Sequence, residues 1–262
     1  MTPEVVIDWT RHAGLLAGRR VLVTGASRGL GLAFAEACAR AGASLALFAR
    51  DPARLAEAVA ALRTIAPRVE AFAVDLADVA AFKARVAEAE HAFGGIDVLI
   101  NNGGTALRGT VLELDPGAFS RLLDTNVVAP AAAAQAVVPG MLARGHGRVI
   151  NVTSVYARAP VKNLTAYAVS KAALEMLTRG MALEWAGTGV TANAIGPVQV
   201  LTDLSRPSWS DPARRAQVMS QIPAGRWATP ADLIGPLLHL ASDASAMITG
   251  QTLFVDGGRS LL

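Results

Sequence analysis

The sequence predicts an α/β fold, a doubly wound parallel sheet of about seven strands with helices on both faces. Three observations support it: strand-like and helix-like segments alternate from end to end, most strand-like segments are rich in Val, Leu and Ile, and a glycine-rich turn links the first strand to the first helix. Strands covered on both faces read as continuous apolar runs, and such alternation is typical of parallel sheets. No linker, low-complexity run or internal repeat divides the 262 residues, so one domain is expected.

Seven strands are predicted in chain order. They span residues 20–24, 44–49, 69–74, 98–101, 148–153, 191–195 and 252–255. Helical periodicity predicts the elements between them. After a first helix that begins at the glycine-rich turn, the helices span residues 53–65, 79–93, 118–141, 164–184 and 231–241. Asp78 and Asp115 stand at expected N-caps, because a short acidic side chain accepts hydrogen bonds from the first N–H groups of a helix.

Composition argues against several functional classes. The net charge of +3 comes without a dense run of Lys and Arg, so no nucleic-acid partner is expected. Charges interrupt the apolar stretches before they reach transmembrane length, and the N-terminus has no signal-peptide pattern, so we expect a cytoplasmic protein without a membrane partner. The four histidines lack ligand spacing and Cys38 is the single cysteine, so neither a metal site nor an internal disulfide is expected.

The turn after the first strand predicts a dinucleotide site. Residues 24–31, TGASRGLG, follow the apolar run 21–23 and precede an amphipathic helix, as at the start of a dinucleotide-binding βαβ unit. Glycines let the backbone turn sharply and approach a pyrophosphate, and free N–H groups at the helix start face the anion. The candidate residues here are Gly25, Ser27, Arg28, Gly29, Leu30 and Gly31. A plain strand-to-helix turn is the alternative, because the spacing departs from the common Gly-x-Gly-x-x-Gly.

Tyr167 and Lys171 carry the strongest signal for chemistry, because residues four apart share one helix face. A phenol with its ordinary pKa of about 10 is poorly matched to proton transfer at neutral pH, and a nearby cation is expected to lower that pKa. Alone, the pair also fits a half-buried ring beside a solvated lysine. The turn 101–104, NNGG, and Ser154, which follow the fourth and fifth strands, are equally ordinary in isolation.

Together and in this order, the glycine-rich turn, the Asn-Asn turn, the serine and the Tyr-Lys pair closely resemble the short-chain dehydrogenase/reductase family, from about Leu15 to the C-terminus. The resemblance implies one Rossmann-type catalytic domain over residues 1–262 that moves a hydride between a nicotinamide cofactor and a small-molecule carbonyl or alcohol. It implies that Tyr167 donates a proton to the substrate oxygen in reduction and that Ser154 holds this oxygen. Lys171 is expected to hydrogen-bond the nicotinamide ribose and to lower the pKa of Tyr167. Asn126 matches the asparagine that completes the catalytic tetrad through a bound water.

The end of the second strand bears on the choice between NADP(H) and NAD(H). A carboxylate there would bind the ribose 2′-hydroxyl, whereas this chain has Arg50, and Arg28 is a second nearby cation. Guanidinium groups suit phosphate oxygens, so NADP(H) is expected, with NAD(H) as the alternative. Asp51 is assigned to capping the next helix, and solvated surface arginines are the alternative to a phosphate site. The resemblance implies further cofactor contacts at Asp75, Leu76, Asn102, Gly103, Tyr167, Lys171, Pro197, Val200 and Thr202.

Two positions depart from the family pattern. Gly103 stands where an alanine usually follows the two asparagines, and the missing methyl group is expected to loosen the turn without removing a polar contact. Val198 stands where a glycine usually follows Pro197. Because valine does not easily adopt a positive φ, the loop over the nicotinamide carboxamide is expected to run differently. Thr202 still matches the residue that contacts the carboxamide.

The substrate is defined less well. Residues 204–221, with Pro207, Trp209 and Pro212, match the family's mobile lid, and residues 1–18 form an N-terminal arm. Trp209 fits a substrate-facing wall or a hydrophobic anchor equally well. The polar candidates are Tyr156, Arg108, Arg158 and Gln199. The apolar candidates are Val155, Ala157, Ala159, Val161, Val198, Val200, Leu201 and Trp209. A hydrophobic or cyclic carbonyl substrate is therefore expected over a polyhydroxylated one.

Residues 177–186 and 223–227 most resemble gluconate 5-dehydrogenase-type members, and 3-oxoacyl-(acyl-carrier-protein) reductase-type members are only slightly more distant. Both activities remain alternatives. An NADP-binding scaffold or sensor is the non-enzyme alternative, although mere binding does not require an activated tyrosine. The resemblance also implies a homotetramer joined through helices 118–141 and 164–184 and through the last strand.

Overall fold

In the computed structural model, which describes residue 7, residues 9–202, residue 205 and residues 209–262, seven strands form one parallel sheet. They are β1 (Arg20–Thr24), β2 (Ser44–Ala49), β3 (Val69–Ala73), β4 (Val98–Asn101), β5 (Gly147–Val152), β6 (Val190–Pro197) and β7 (Thr252–Val255). Their order across the sheet is β3-β2-β1-β4-β5-β6-β7. Since β1 pairs with both β2 and β4, the strand order reverses there, and the predicted doubly wound fold is confirmed.

The described helices alternate with the strands. They are α1 (Gly29–Arg40), α2 (Pro52–Leu62), α3 (Val79–Phe93), α4 (Pro116–Leu123), α5 (Ala129–Arg144), α6 (Thr165–Glu184), α7 (Pro212–Met219) and α8 (Pro230–Ala241). The caps predicted at Asp78 and Asp115 are confirmed, because their carboxylates accept hydrogen bonds from N–H groups in the first turns of α3 and α4. The ends of the elements lie close to the predicted ones. The end of α2, at residue 62 where residue 65 was predicted, is among the largest differences.

Apolar residues pack on both faces of the sheet. Alternate residues of β1 belong to different clusters: Val21 and Val23 pack with residues of α1, α2 and α8, whereas Leu22 packs with residues of α3, α5 and α6. This follows from the two-residue repeat of a strand, whose side chains point alternately to opposite faces. The predicted helices on both faces are thus confirmed.

The predicted helix 118–141 contains a break in its hydrogen-bonding pattern. A π-helical turn at Asp124–Val128 joins α4 to α5, so that one helix runs over Pro116–Arg144. By length and composition alone this helix could cross a membrane, with a mean hydropathy of 1.4 in its most apolar window. Half of that window is buried inside the protein, and α5 packs against α3. The expectation that charge interrupts every such stretch is therefore wrong, and the packing is that of a core helix.

Two predicted segments fall partly on residues outside the described part. In the N-terminal arm these are residues 1–6 and 8, and beyond them Leu16 is fully buried and donates its N–H to the carbonyl of Ala41 at 2.9 Å. In the predicted lid they are residue 204 and residues 206–208, which include Pro207. Most of the remaining lid is α7, which begins at Pro212.

An ion-pair network lies at the end of the sheet opposite the glycine-rich turn. Asp97, just before β4, accepts hydrogen bonds from Arg20 Nε at 2.8 Å and Arg20 Nη2 at 2.6 Å, and Arg144 Nε lies 3.7 Å away. Burial of Asp97 opposes its ionisation, but the side-chain and backbone hydrogen bonds from Arg20 together outweigh burial and lower its pKa. The network joins β1, β4 and α5.

Replacing Asp97 by Asn should lower the free energy of unfolding by about 3 kcal/mol, because Arg20 and Arg144 then share no carboxylate in a shielded position. Glu70→Gln removes the charge from an exposed pair with Arg68 and should lower the free energy of unfolding by less than about 1 kcal/mol. Urea unfolding at fixed protein concentration measures both variants.

The effect of Asp97→Asn should also depend on pH. The pKa of Asp97 is lower in the folded than in the unfolded chain. The ionised carboxylate therefore stabilises the fold fully above the ordinary carboxyl pKa of about 4, and this stabilisation is lost as the pH falls through the lowered value. Equal destabilisation by Asp97→Asn and Glu70→Gln at pH 7 would contradict this interpretation.

Candidate active site

Hydrogen bonds join the turns that follow β1 and β4. The Thr24 hydroxyl accepts a bond from the Gly103 N–H at 2.9 Å, and the Asn102 amide donates to the Thr24 carbonyl at 3.0 Å. Below them, the amide of Asn101 donates to the side-chain carbonyl of Asn151 on β5 at 2.8 Å. The glycine-rich turn and the Asn-Asn turn therefore form one continuous surface at the carboxyl edge of the sheet.

The glycines of the first turn have different roles. Gly25 and Gly29 have left-handed backbone, with φ of +67° and +58°. Gly31 permits close packing, because a Cβ there would lie 2.2 Å from the carbonyl oxygen of Gly25 and 2.5 Å from the amide nitrogen of Asn102. Arg28 precedes α1 in an extended conformation, and its side chain does not cap the helix. The narrow cradle and the uncapped helix start fit a pyrophosphate.

Leu76 fills the space of the methyl group that Gly103 lacks. A Cβ on Gly103 would lie 2.7 Å from Cδ2 of Leu76, which is buried. The expected loosening of this turn is therefore wrong, since a neighbouring side chain replaces the missing methyl group. Asp75 accepts a hydrogen bond from the backbone N–H two residues later at 3.0 Å, which fixes the turn after β3. Ser27 and Leu30 are both half-buried in the glycine-rich turn.

Asn126 lies buried in the π-helical turn. Its side-chain carbonyl accepts from the Thr105 N–H, and its amide donates to the Thr105 carbonyl and the Ser170 hydroxyl, each at 2.9 Å. The Ser170 hydroxyl in turn donates to the carbonyl of Tyr167 at 2.7 Å. Since π-helical turns often occur at functional sites, the irregularity itself draws attention to this asparagine. Asn126 thus joins the loop after β4 to α6 at Ser170, the residue before Lys171.

Tyr167, Lys171 and Ser154 meet at the carboxyl end of β5. The Lys171 Nζ donates to the carbonyl of Val152 at 2.8 Å and lies 5.7 Å from the centre of the Tyr167 ring. The Ser154 side chain lies close enough to the Tyr167 hydroxyl to lower its pKa, against the larger effect of burial. Ser154 also accepts a bond from the Tyr156 N–H at 3.2 Å, which fixes the turn that follows it. The structure thus brings together the residues predicted for proton transfer.

Burial dominates the ionisation of this pair. It raises the pKa of Tyr167 to about 12, although the hydrogen bond with Ser154 acts in the opposite direction. Burial also lowers the pKa of Lys171 to about 8. The net shift of the Tyr167 pKa is therefore upward and not downward as predicted, because removal from water disfavours the charged form of both groups. Tyr167 is a neutral phenol at physiological pH, with a proton to donate.

Both arginines predicted to bind the 2′-phosphate, one after β2 and one in the glycine-rich turn, reach the surface. Arg50 and Arg28 are both exposed side chains. The carboxylate of Asp51 accepts hydrogen bonds from the N–H groups of Ala53 at 3.0 Å and Arg54 at 3.2 Å, which confirms its assignment as the N-cap of α2. This carboxylate is committed to the helix start, and Arg50 supplies the charge at the strand end.

The loop after β6 accommodates valine without a left-handed backbone. Val198 is buried, and its N–H donates to the carbonyl of Val255 at 3.2 Å, one residue beyond Pro197, where β6 ends. Among the described residues outside glycine, only Asn163 has a positive φ. The chain then returns over the glycine-rich turn, since a Cβ on Gly29 would lie 3.6 Å from Thr202.

Trp209 attaches the lid to the core. Its ring packs edge to face on Trp227, with ring centres 5.4 Å apart, and the Arg215 guanidinium lies 5.2 Å from the centre of the Trp209 ring. Trp227 is fully enclosed. Of the two alternatives for Trp209, these contacts favour the hydrophobic anchor.

Three of the four predicted polar candidates make contacts within the chain. The Tyr156 ring lies 6.5 Å from that of Tyr167, and Gln199 donates its amide to the Tyr156 hydroxyl. Arg158 instead pairs with the buried carboxylate of Glu175 on α6 at 2.8 Å. The sequence analysis missed Glu175, because no local spacing links a helix residue to a loop residue 17 positions earlier.

The predicted apolar lining is smaller than expected. Val155 and Val198 are buried in the core cluster, and Val200 and Trp209 pack against it. These four side chains therefore contribute to the core. The half-buried candidates that remain are Ala157, Ala159, Val161 and Leu201. The basis for expecting a hydrophobic substrate is correspondingly weaker.

Known proteins match this chain over almost its whole length. The family model described as enoyl-(acyl carrier protein) reductase matches residues 25–260. L-xylulose reductase of Homo sapiens is 37% identical over 244 residues, which cover 93% of this chain and 97% of that protein. Gluconate 5-dehydrogenase of Gluconobacter oxydans (strain 621H) is 35% identical, with coverage of 93% and 95%. A solved gluconate 5-dehydrogenase of Burkholderia cenocepacia J2315, in complex with NADP and tartrate, has a TM-score of 0.89 and 36% identity and covers 97% of this chain and 99% of that chain.

Replacing Gly31 by Ala should destabilise the chain by about 3 kcal/mol and abolish NADPH binding, because the new methyl group would overlap backbone atoms of the glycine-rich turn. Gly29→Ala is the matched control: its new methyl group would make only an ordinary van der Waals contact with Thr202 at 3.6 Å, so only left-handed strain of about 1 kcal/mol is expected. Urea unfolding and NADPH fluorescence titration measure the two effects. Equal stability of the two variants would contradict the role assigned to Gly31.

Proposed function

The chain belongs to the short-chain dehydrogenase/reductase family, and on that basis we propose that it interconverts a ketone and a secondary alcohol, with Tyr167 as the proton donor in reduction. It is an oxidoreductase acting on CH–OH groups, and its cofactor is NADP(H). The observation that carries the proposal is the meeting of Tyr167, Lys171 and Ser154 at the carboxyl end of β5. One catalytic domain spans residues 1–262.

The residues present fit NADP(H). The cradle at Gly31, which a Cβ would fill, and the uncapped start of α1 suit the pyrophosphate. Arg50 and Arg28 are assigned to the 2′-phosphate, and Asp75 and Leu76 to the adenine end. When bound, the cofactor supplies or accepts the hydride. The remaining assigned contacts are Gly25, Ser27, Gly29, Leu30, Asn102, Gly103, Pro197, Val200 and Thr202.

Proton transfer rests on three side chains. Burial keeps Tyr167 protonated, so it can donate to the alkoxide that forms during reduction. The Ser154 side chain lies beside the Tyr167 hydroxyl and is assigned to donate a hydrogen bond to the same substrate oxygen. Lys171 holds its ammonium group beside the Tyr167 ring, where it stabilises negative charge as the phenol loses its proton.

Asn126 and Lys171 border a common space. A Cβ on Gly104 would lie 3.2 Å from Oδ1 of Asn126 and 3.4 Å from Nζ of Lys171. Glycine therefore leaves room between the two side chains, and a water held there would link them. This supports the assignment of Asn126 to the proton path, through Lys171 to Tyr167.

The substrate is a small carbonyl compound or alcohol. The hydrophobic or cyclic carbonyl predicted from sequence retains support from Ala157, Ala159, Val161 and Leu201, which are half-buried. A gluconate 5-dehydrogenase-like activity is the second candidate, and the hydrogen-bonded pair of Tyr156 and Gln199 beside Tyr167 favours it because hydroxyl groups need such partners.

We also propose a cytoplasmic homotetramer. Val169, Met176 and Leu183 recur every seven residues along α6 and are 46%, 62% and 80% exposed, so they form an apolar stripe on its outer face. This stripe supports the interface predicted through α6. Light scattering at micromolar concentration should give about four times the 27.0 kDa mass of the chain, and a monomeric mass would rule the assembly out.

Tyr167→Phe should lower turnover by roughly a hundredfold to ten-thousandfold, the usual contribution of general acid catalysis, and leave the Kd for NADPH nearly unchanged. Lys171→Met should impair both, because Lys171 is assigned to the ribose as well. Stopped assays of carbonyl reduction and NADPH fluorescence titration separate the two effects. If Tyr167→Phe retains most of the native rate, another group donates the proton and the scaffold alternative gains support.

The native chain should use NADPH more efficiently than NADH, and Arg50→Asp should erase or reverse this preference by replacing attraction of the 2′-phosphate with repulsion. Arg63→Asp, with the same charge change about 16 Å away at the other end of α2, should leave the preference intact. The ratio of kcat/KM for the two cofactors measures it. Equal or better efficiency of the native chain with NADH would show that the arginine assignment is wrong.

A further inference from the structure

Ser154 and Arg158 stand at the two ends of one short turn. A 3₁₀-helical turn over Val155–Ala157 separates them. The N–H of Ala157 donates to the carbonyl of Ser154 at 3.0 Å, and the N–H of Arg158 donates to the carbonyl of Val155 at 3.1 Å. Because hydrogen bonds run through the whole segment, the position of Arg158 helps to set the position of Ser154.

Glu175 binds Arg158 from α6. Its Oε1 accepts hydrogen bonds from Nη2 of Arg158 at 2.8 Å and from Nε of the same side chain at 3.2 Å. The Glu175 side chain is 6% exposed, and that of Arg158 is 50% exposed. A buried carboxylate is costly without a cationic partner, so Glu175 draws the Arg158 guanidinium onto the helix.

Phe254 on β7 contacts Arg158 as well. The guanidinium carbon of Arg158 lies 4.5 Å from the centre of the Phe254 ring, within the range of a cation–π contact. The ring is itself packed on β6, because a Cβ on Gly196 would lie 2.6 Å from two of its carbon atoms. The Arg158 side chain therefore fixes the turn after Ser154 to α6 and to β7.

Arg179 binds the same carboxylate from within α6. Its Nη2 donates to Oε1 of Glu175 at 2.6 Å, one helical turn away. Its side chain is 48% exposed, close to the value for Arg158. The two arginines thus share a partner and a degree of exposure but connect different parts of the chain. Arg158 connects the Ser154 turn to α6, whereas Arg179 connects two positions of α6 itself.

We propose that Glu175 is a positioning residue for the reaction, which acts through Arg158 to hold Ser154 at the substrate oxygen. This inference rests on the proposed function, since it concerns the same proton-transfer site. Tyr167 and Lys171 lie on the helix that carries Glu175, so the pair of Glu175 with Arg158 aligns Ser154 with both. A donor stabilises developing charge only at the correct distance, and a displacement of about 1 Å can lower the rate by roughly a hundredfold.

Two arginine variants with the same charge change test this role. Arg158→Gln should lower kcat by roughly tenfold to a hundredfold, because the Ser154 turn loses its attachment to α6, and it should leave the Kd for NADPH nearly unchanged. Arg179→Gln is the matched control and should keep the native kcat, since each variant leaves Glu175 with one arginine. Arg158→Lys, which keeps the charge, should recover part of the rate lost in Arg158→Gln.

Rates are measured with NADPH and either 5-ketogluconate or cyclohexanone, one probe for each proposed substrate class. Urea unfolding should show similar losses of stability in Arg158→Gln and Arg179→Gln, so a difference in kcat reports position and not folding. Equal kcat in these two variants would overturn the proposal. A native chain that reduces neither probe would instead contradict the proposed function, and the inference would fall with it.

Combining variants shows whether Arg158 acts through Ser154. In a Ser154→Ala background, Arg158→Gln should lower kcat little further, because the donor that it positions is already gone. Glu175→Gln should reduce kcat as Arg158→Gln does, and the double variant should be no slower than either. If Arg158→Gln lowers kcat by the same factor with and without Ser154, or if Glu175→Gln keeps the native rate, Arg158 acts independently and Glu175 does not position Ser154.

Discussion

The burial of the Lys171 ammonium group is the constraint on which the rest of the active site depends. The residue is 4% exposed, and its Nζ donates to the carbonyl of Val152. No carboxylate in the described part of the chain forms an ion pair with it. A buried ammonium group without such a partner loses much of its hydration, so its charged form is destabilised and its pKa falls to about 8. Its remaining N–H groups favour a ligand that brings hydroxyl oxygens into the site.

The position of Lys171 is set by buried polar contacts between α6 and the sheet. The amide of Asn151 on β5 donates to the Thr178 hydroxyl at 2.8 Å, and Asn151 also accepts from Asn101 on β4. The Thr178 hydroxyl donates to the carbonyl of Leu174, and Thr178, Leu174 and Lys171 all lie on the buried face of α6. Side-chain hydrogen bonds of this kind permit only one register of helix on strand, because any shift would leave buried amides without partners.

Much of this arrangement follows from sequence patterns that act locally. The seven strands, the glycine-rich turn and the caps at Asp51, Asp78 and Asp115 depend on residues close together in the chain, and each was predicted. The π-helical turn around Asn126 was not, because the sequence has no mark for one extra residue in a helical turn. The replacement of the Gly103 methyl group by Leu76 and the pairing of Arg158 with Glu175 depend on contacts between distant segments.

The direction of the Tyr167 pKa shift shows the same limit. Spacing places a cation on the same helix face, which predicts a lowered pKa, but the degree of burial of both groups decides the outcome. Burial is a property of the packed chain and cannot be read from a four-residue interval.

The pKa of Lys171 in the intact chain is the most direct measure of this burial. The chain has three lysines, at positions 83, 162 and 171, so protein labelled with ¹³C at lysine Cε gives few resonances, and the signal lost in Lys171→Met identifies the buried one. Burial predicts that this resonance titrates with a midpoint of about 8. A midpoint at or above the ordinary lysine value of about 10.4 would contradict the burial of an unpaired ammonium group at the centre of the site.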